Sequence, residues 1–244
     1  MKITILHNER TSFDIEKSGF CLLIEFDNKV ILFDTGLKND ISNILDKTKN
    51  LDIDFIVLSH GHIDHTEGLK YLSFKKIKKV ICHPKALEEK RFKSKNIGLN
   101  LSIKETKKYD LITTNKIMQL SNNIFFLGEI PRKYEKVASI EKDAVLDDTG
   151  LVFRTTKGLV LVIGCGHSGL KNITKYIHKN FKDKLYAIIG GFHLLDDNTT
   201  TEKILYLIKN YKKIYPMHCI NNFAIDLFKK YNIDKIKAKK IIKI

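Results

Sequence analysis

Ser59-His60-Gly61-His62-Ile63-Asp64-His65 packs three imidazoles and a carboxylate into six residues, directly behind the apolar run Phe55 to Leu58. That run reads as a short buried strand. At a strand end, the two-residue spacing of His60 and His62 puts both rings on one side of the chain. Asp64 and His65 lead into a helix expected over Thr66 to Leu72, where unpaired backbone N–H groups favour a carboxylate. Imidazole and carboxylate are donors for Zn²⁺ and for first-row ions such as Mn²⁺ and Fe²⁺. Four such groups exceed what one tetrahedral catalytic ion takes from a protein. Two divalent ions are therefore expected, with His60 and His62 on one and Asp64 and His65 on the other. Zn²⁺ is the first expectation; Mn²⁺ or Fe²⁺ fits the same donors. The plain alternative is a hydrated loop that happens to hold histidines. The chain has only nine histidines, and three of them within this window argue against it. A zinc finger is excluded because no CxxC or paired HxxxH partner exists.

Around this run the pattern is first that of hairpins. Lys2 to His7 reads as a strand, and Phe20 to Phe26 with Lys29 to Phe33 as a hairpin turning at Asp27-Asn28. Ile41, Ile44 and Leu45 give helical spacing over Lys38 to Lys47, and a strand is expected at Lys79 to Cys82. Residues Glu88 to Asn115 are polar and irregular, and a stretch of that length suggests a lid or an inserted helix pair. Ile117 to Leu120 and Asn123 to Leu127 form a second hairpin. Leu151 to Thr155 and Leu159 to Ile163 form a third, turning at Lys157-Gly158. Strand–helix units follow: Leu159 to Ile163 with a helix over Leu170 to His178, Leu185 to Ile189 with Glu202 to Asn210, and Lys213 to Tyr215 with Phe223 to Lys229. The expected architecture is α/β, four layers with helices outside two packed sheets. It forms one domain over residues 1–244, with lid segments near 88–115 and 128–148. Ligands in such folds collect at the carboxyl ends of strands. Gly164-Cys165-Gly166-His167, Gly190-Gly191-Phe192-His193 and Pro216-Met217-His218-Cys219 all fall at such ends.

The 244 residues are 43% hydrophobic, enough for a sizeable core. No apolar run approaches a membrane span, and MKITILHNE turns polar too early for a signal peptide. A soluble, cytoplasmic protein with no membrane partner is expected. The net charge is +15, almost all from lysine, since arginine occurs only at Arg10, Arg91, Arg132 and Arg154. Lysines spread along the whole chain point to biased composition more than to a nucleic-acid surface, and they suit an anionic small-molecule substrate. Cys21, Cys82, Cys165 and Cys219 show no disulfide pattern. Cys21 and Cys82 sit in strand-like runs and read as core, whereas Cys165 and Cys219 stand beside histidines.

HxHxDH is the motif of the metallo-β-lactamase superfamily, which this sequence resembles along essentially its whole length. The resemblance implies an αββα sandwich with a metal pair at one edge of the two sheets. It implies that Asp34, closing Ile31-Leu32-Phe33-Asp34-Thr35-Gly36, supports the site from behind its ligands. It also implies that His167 completes the metal held by His60 and His62, and that His218 completes the metal held by Asp64 and His65. Cys165 stands where the family's bridging aspartate is expected. Either its thiolate binds metal or His167 alone takes the role. His193 is expected as a proton donor, with a ligand role as the alternative, so His193 and Asp64 are the catalytic candidates. GCGHSG, IGGFHL, PMHC and Leu127-Gly128-Glu129-Ile130-Pro131-Arg132 narrow the resemblance to a branch that includes a methanogen-type dihydropteroate synthase. Ser168 is a small departure, since the branch often has Pro there. Glu129 and Arg132 either line the substrate pocket or form a structural salt bridge. The implied activities are hydrolysis, or a synthase reaction joining a dihydropterin-methyl diphosphate to ribofuranosylaminobenzene 5′-phosphate. A phosphodiesterase or nuclease acting on nucleic acid is the alternative class, and a non-enzymatic metal sensor a remoter one.

Overall fold

The computed structural model describes residues 1–9, 18–72, 77–99, 101, 103–135, 143–195 and 198–244. Arg10 and parts of both expected lid segments (100, 102 and 136–142) lie outside the described residues. The chain divides into two compact units. One takes Met1–Lys116, Ser139–Asp147 and Lys237–Ile244; the other takes Ile117–Ala138 and Asp148–Ile236.

The first unit is built on seven strands: β1 (Lys2–Glu9), β2 (Gly19–Phe26), β3 (Lys29–Phe33), β4 (Ile53–Val57), β5 (Ile77–Cys82), β8 (Leu111–Thr113) and β15 (Ile241–Lys243). Their order is β15-β1-β2-β3-β4-β5-β8. β15, β1, β2 and β3 pair antiparallel, while β3, β4, β5 and β8 pair in parallel. Hairpins were expected to dominate this half; here three parallel steps follow the hairpin, and parallel neighbours bring their carboxyl ends together. Phe33 lies opposite Val57, so Asp34 and the histidine run leave the sheet side by side.

Helix α1 (Ile41–Thr48) buries Ile41 and Ile44, but Leu45, expected on the same face, is 41% exposed. Residues 38–40 form a 3-10 turn rather than the first turn of α1. The helix expected over Thr66 to Leu72 is replaced by a single α turn, α2 (Ile63–Thr66), and a 3-10 stretch Glu67–Tyr71. Within it Gly68 passes close to Thr35, whose carbonyl a side chain there would overlap. The stretch read as irregular contains a small hairpin, β6 (Arg91–Phe92) with β7 (Lys95–Asn96), a helical turn α3 (Ile103–Thr106), and the edge strand β8. β8 and β15 went unread because three residues give too little alternation to register.

The second unit has six strands: β9 (Met118–Ser121), β10 (Ile124–Phe126), β11 (Gly150–Thr155), β12 (Gly158–Ile163), β13 (Leu185–Gly191) and β14 (Lys213–Met217). Their order is β14-β13-β12-β11-β10-β9. β12 (GLVLVI) and β13 (LYAIIGG) are apolar almost throughout because both are central strands. β12, β13 and β14 are parallel, with Ile163, Gly190 and Pro216 in register. Helices α4 (Leu170–Asn180), α5 (Asn198–Ile208) and α6 (Asn222–Lys229) supply Ile173, Ile177, Ile204, Ile208 and Phe228 to this unit's core. Asn221 caps α6 by accepting the Ala224 N–H at 2.8 Å. No helix among the described residues is long and apolar enough to cross a membrane.

Asp54 clasps the start of the first unit's parallel strands. It accepts the Val30 N–H at 2.9 Å and the Lys78 ammonium at 3.0 Å. Burial opposes its ionisation, but the Val30 N–H, Lys78 and Lys29 outweigh that and hold the carboxyl below its usual range. A depressed native pKa stabilises the fold above the unfolded value of about 3.9 and is lost as pH falls through the native one. Asp54→Asn should therefore cost about 1 kcal/mol at neutral pH. In urea unfolding, the gap between wild type and variant should close on acidification; a gap independent of pH would contradict this account.

Candidate metal centre

In the first unit the histidine run sits on the turn between β4 and α2, and a carboxylate beneath it fixes its geometry. Asp34 is fully buried and accepts three hydrogen bonds, from Ser59 N, Ser59 Oγ and His65 Nδ1, each at 2.7 Å. The single Ser59 hydroxyl proton goes to Asp34. At its 2.9 Å contact with His60 Nδ1, Ser59 Oγ must therefore accept. His60 and His65 thus both donate from Nδ1, so Nε2 is the atom each could offer a cation. The His60 ring centroid lies 4.6 Å from that of His62 and 4.2 Å from that of His65. His65 Nε2 is 3.8 Å from Asp64 Oδ2. All four side chains are buried. Imidazoles held through their Nδ1 atoms, gathered around a buried carboxylate, fit a hard or borderline divalent cation.

Gly61 separates the two histidines because nothing larger fits. A methyl there would overlap the Ala86 carbonyl and come within 2.7 Å of Lys90 Cε. The Gly61 N–H donates to Asp147 Oδ2 at 2.6 Å. Lys90, with a side chain only 4% exposed, bridges Asp147 at 2.9 Å and Asp143 at 3.1 Å. Burial pulls the Lys90 pKa down, but Asp147 and Asp143 outweigh it and raise the value. Asp143 is pushed up by burial, yet His62, the Val145 N–H and Lys90 hold it well below the usual carboxylate range. His62 also bridges Gly98, and Ile63 N donates to Ile97 O at 2.7 Å. Residues 90–99 therefore form one wall of the turn. Lys90, Asp143 and Asp147 were missed because they lie in stretches without periodicity. The Asp147-Asp148 pair just before β11 was the only signal of them.

In the second unit the parallel strands β12, β13 and β14 deliver their ends to one edge of the sheet. Cys165, His193 and Cys219 place ligand atoms within 4.8 Å of one another. The His167 and His193 ring centroids are 4.2 Å apart. His193 and His218 both take left-handed backbone, with φ of 47° and 49°, a strain of about 1 kcal/mol or more each that tends to collect at functional sites. Gly191 makes room for the Cys219 sulfur, which a Cβ would approach to 2.6 Å. Cys219 Sγ in turn accepts the His193 N–H at 3.2 Å. Burial opposes ionisation of Cys219, but Cys165, His193 and His218 outweigh it and lower the thiol pKa well below the ordinary value. By contrast, burial and Asp147 push Cys82 up to about 12, and Cys21 is raised too. Those two are inert core thiols, as expected, and none of the four cysteines is in a disulfide.

Asp148, fully buried, accepts the Ser168 N–H at 2.7 Å. Burial pushes its carboxyl up to about 6, against hydrogen bonds from Ser168 and the His167 backbone and the charge of Arg132. Arg132 thus acts on the segment that carries His167. Glu129 is half-buried and near enough to Tyr176 to raise its phenol. The other histidines have local roles. His83 Nδ1 accepts the Lys85 N–H, His7 pairs with Asp40 at 2.7 Å, and exposed His178 meets the Tyr211 hydroxyl.

The chain belongs to the metallo-β-lactamase superfamily, whose family model matches residues 15–171. It is 36% identical over 232 residues to an uncharacterized protein of Methanocaldococcus jannaschii, covering 88% of each chain. It is 32% identical to the 7,8-dihydropterin-6-methyl-4-(β-D-ribofuranosyl)-aminobenzene-5′-phosphate synthase of the same organism, covering 92% of this chain and 89% of the relative. Among solved structures it is similar to Tm1679, a metal-dependent hydrolase of the β-lactamase superfamily, with 28% identity, a TM-score of 0.82 and coverage of 100% and 99%. The α/β fold is therefore that of the metallo-β-lactamases.

Asp34→Asn keeps the shape but replaces one anionic acceptor oxygen with a donor. Metal affinity should fall 10- to 100-fold, the usual effect of losing a partner behind the ligands. Competition against a chromogenic chelator measures it, and unchanged affinity would show that Asp34 only holds the turn together.

Proposed function

We propose that this protein is a dinuclear metalloenzyme acting on an anionic small molecule that carries a phosphate or diphosphate. The observation that carries the reading is the Asp34–Ser59–His60 relay together with the Asp34–His65 bond, which present two Nε2 lone pairs from one turn. That arrangement has little purpose in a protein that binds no cation. The ligand set is His60, His62 and His167 for one ion and Asp64, His65 and His218 for the other, with Zn²⁺ as the first choice and Mn²⁺ or Fe²⁺ as alternatives. When bound, such ions supply Lewis acidity that activates water or stabilises a departing diphosphate.

The protein's own groups do the rest. His193, half-buried and held by its backbone N–H against the Cys219 sulfur, delivers a proton to the leaving group. Arg132 and the many lysines attract and orient the anion, and Glu129 lines the same segment. Within this class, synthesis at a pterin-methyl diphosphate has specific support in the 32% identity to the M. jannaschii synthase. Hydrolysis has support in the likeness to Tm1679.

The test is metal analysis joined to a substrate panel of phosphomonoesters, phosphodiesters, thioesters, lactams, RNA, and a pterin diphosphate with an aromatic amine. His62→Ala should lose at least one equivalent of metal and abolish turnover. His193→Ala should keep both equivalents while turnover falls about 10²- to 10⁴-fold. Undiminished activity in chelator-stripped protein would overturn the reading. RNA as the sole substrate would keep the metal centre but reject the small-molecule class.

A further inference from the structure

We infer that Asp143 is an additional metal ligand, supplying a carboxylate to the cation held by His62. This rests on the dinuclear reading above. Asp143 Oδ2 lies 3.7 Å from His62 Nε2. Two donors on one tetrahedral ion, each about 2.0 Å from it, stand about 3.3 Å apart, so these two atoms need to close by only a few tenths of an ångström. The other oxygen, Oδ1, accepts the Val145 N–H at 2.7 Å. That bond leaves Oδ2 facing the histidine, where it also accepts the Lys90 ammonium at 3.1 Å, and suits single-oxygen ligation.

The charge balance points the same way. Among the described residues, Asp143 meets Lys90, His62 and the Val145 N–H, and Lys90 in turn holds Asp147. Lys90 carries one positive charge against two carboxylates, and all three are substantially removed from water. Asp147 alone neutralises Lys90 and is committed on its other oxygen to the Gly61 N–H. Among the described residues Lys90 is the one ammonium that the two carboxylates share, and excess buried negative charge is costly unless a cation answers it. A divalent ion on His62 provides that answer.

The experiment is a cobalt and zinc titration of full-length wild type, Asp143→Asn, Asp143→Glu and His62→Ala, each competed against a chromogenic chelator. Thermal melting of the metal-free proteins is recorded in parallel. Asp143→Asn should weaken, by tenfold or more, the equivalent that His62→Ala also weakens. It should alter the cobalt absorption spectrum without lowering metal-free melting, because Lys90 keeps Asp147 and the excess buried charge is removed. Asp143→Glu should recover most of the affinity. Unchanged affinity with a lowered metal-free melting temperature would overturn the inference and leave Asp143 as a structural partner of Lys90. The dinuclear reading fails separately, if wild type itself takes up no more than one equivalent.

Discussion

Asp34 is the constraint on which the histidine turn depends. It is a fully buried carboxylate at the end of β3 and accepts donors from the main chain, a hydroxyl and an imidazole. A buried anion is tolerable only when it is fully hydrogen-bonded, and here each bond also orders something else. The Ser59 N–H bond sets where β4 ends. The Ser59 hydroxyl bond decides the tautomer of His60. The His65 bond pins the first turn of α2. The register that places Phe33 beside Val57 is what allows one side chain to reach all three. Asp34 itself takes left-handed backbone, φ 60°, so the strain of the turn is borne next to the group that repays it.

The second unit reaches a similar result by another route. Among the described residues its carboxylate Asp148 holds only the His167–Ser168 segment. Three parallel strands stop in register, and each then turns sharply through glycine or a strained histidine. Cys219 links two of these turns, accepting from the His193 backbone and lying close to the Cys165 carbonyl, 3.4 Å away. Gly191 has no side chain because the sulfur fills that volume. Sheet register and backbone contact thus set the spacing of cysteines and histidines that are tens of residues apart in sequence.

The histidine run, the strand-end clusters and Asp34 were legible in the sequence because each is a dense local pattern. Three histidines and an aspartate in six residues need no tertiary information to suggest a cation. The strands β2, β3, β11, β12 and β13 were legible because their apolar runs are long and bounded by turn residues. The helix expected after His65 gives way to a single α turn and a 3-10 stretch, because a short, weakly periodic pattern does not by itself hold a regular helix. The edge strands β8 and β15 were invisible because they gain their structure from their neighbours, not from their own residues.

Lys90, Asp143 and Asp147 mark the division most clearly. The sequence by itself determined which residues have metal-binding chemistry and that they fall at strand ends, since ligand type and apolar patterning are local properties. It held nothing to say that a lysine at 90 would be buried between carboxylates at 143 and 147, beneath a glycine at 61. Only the tertiary structure decided that, because desolvation makes a charge choose its partners in space, whatever their distance along the chain.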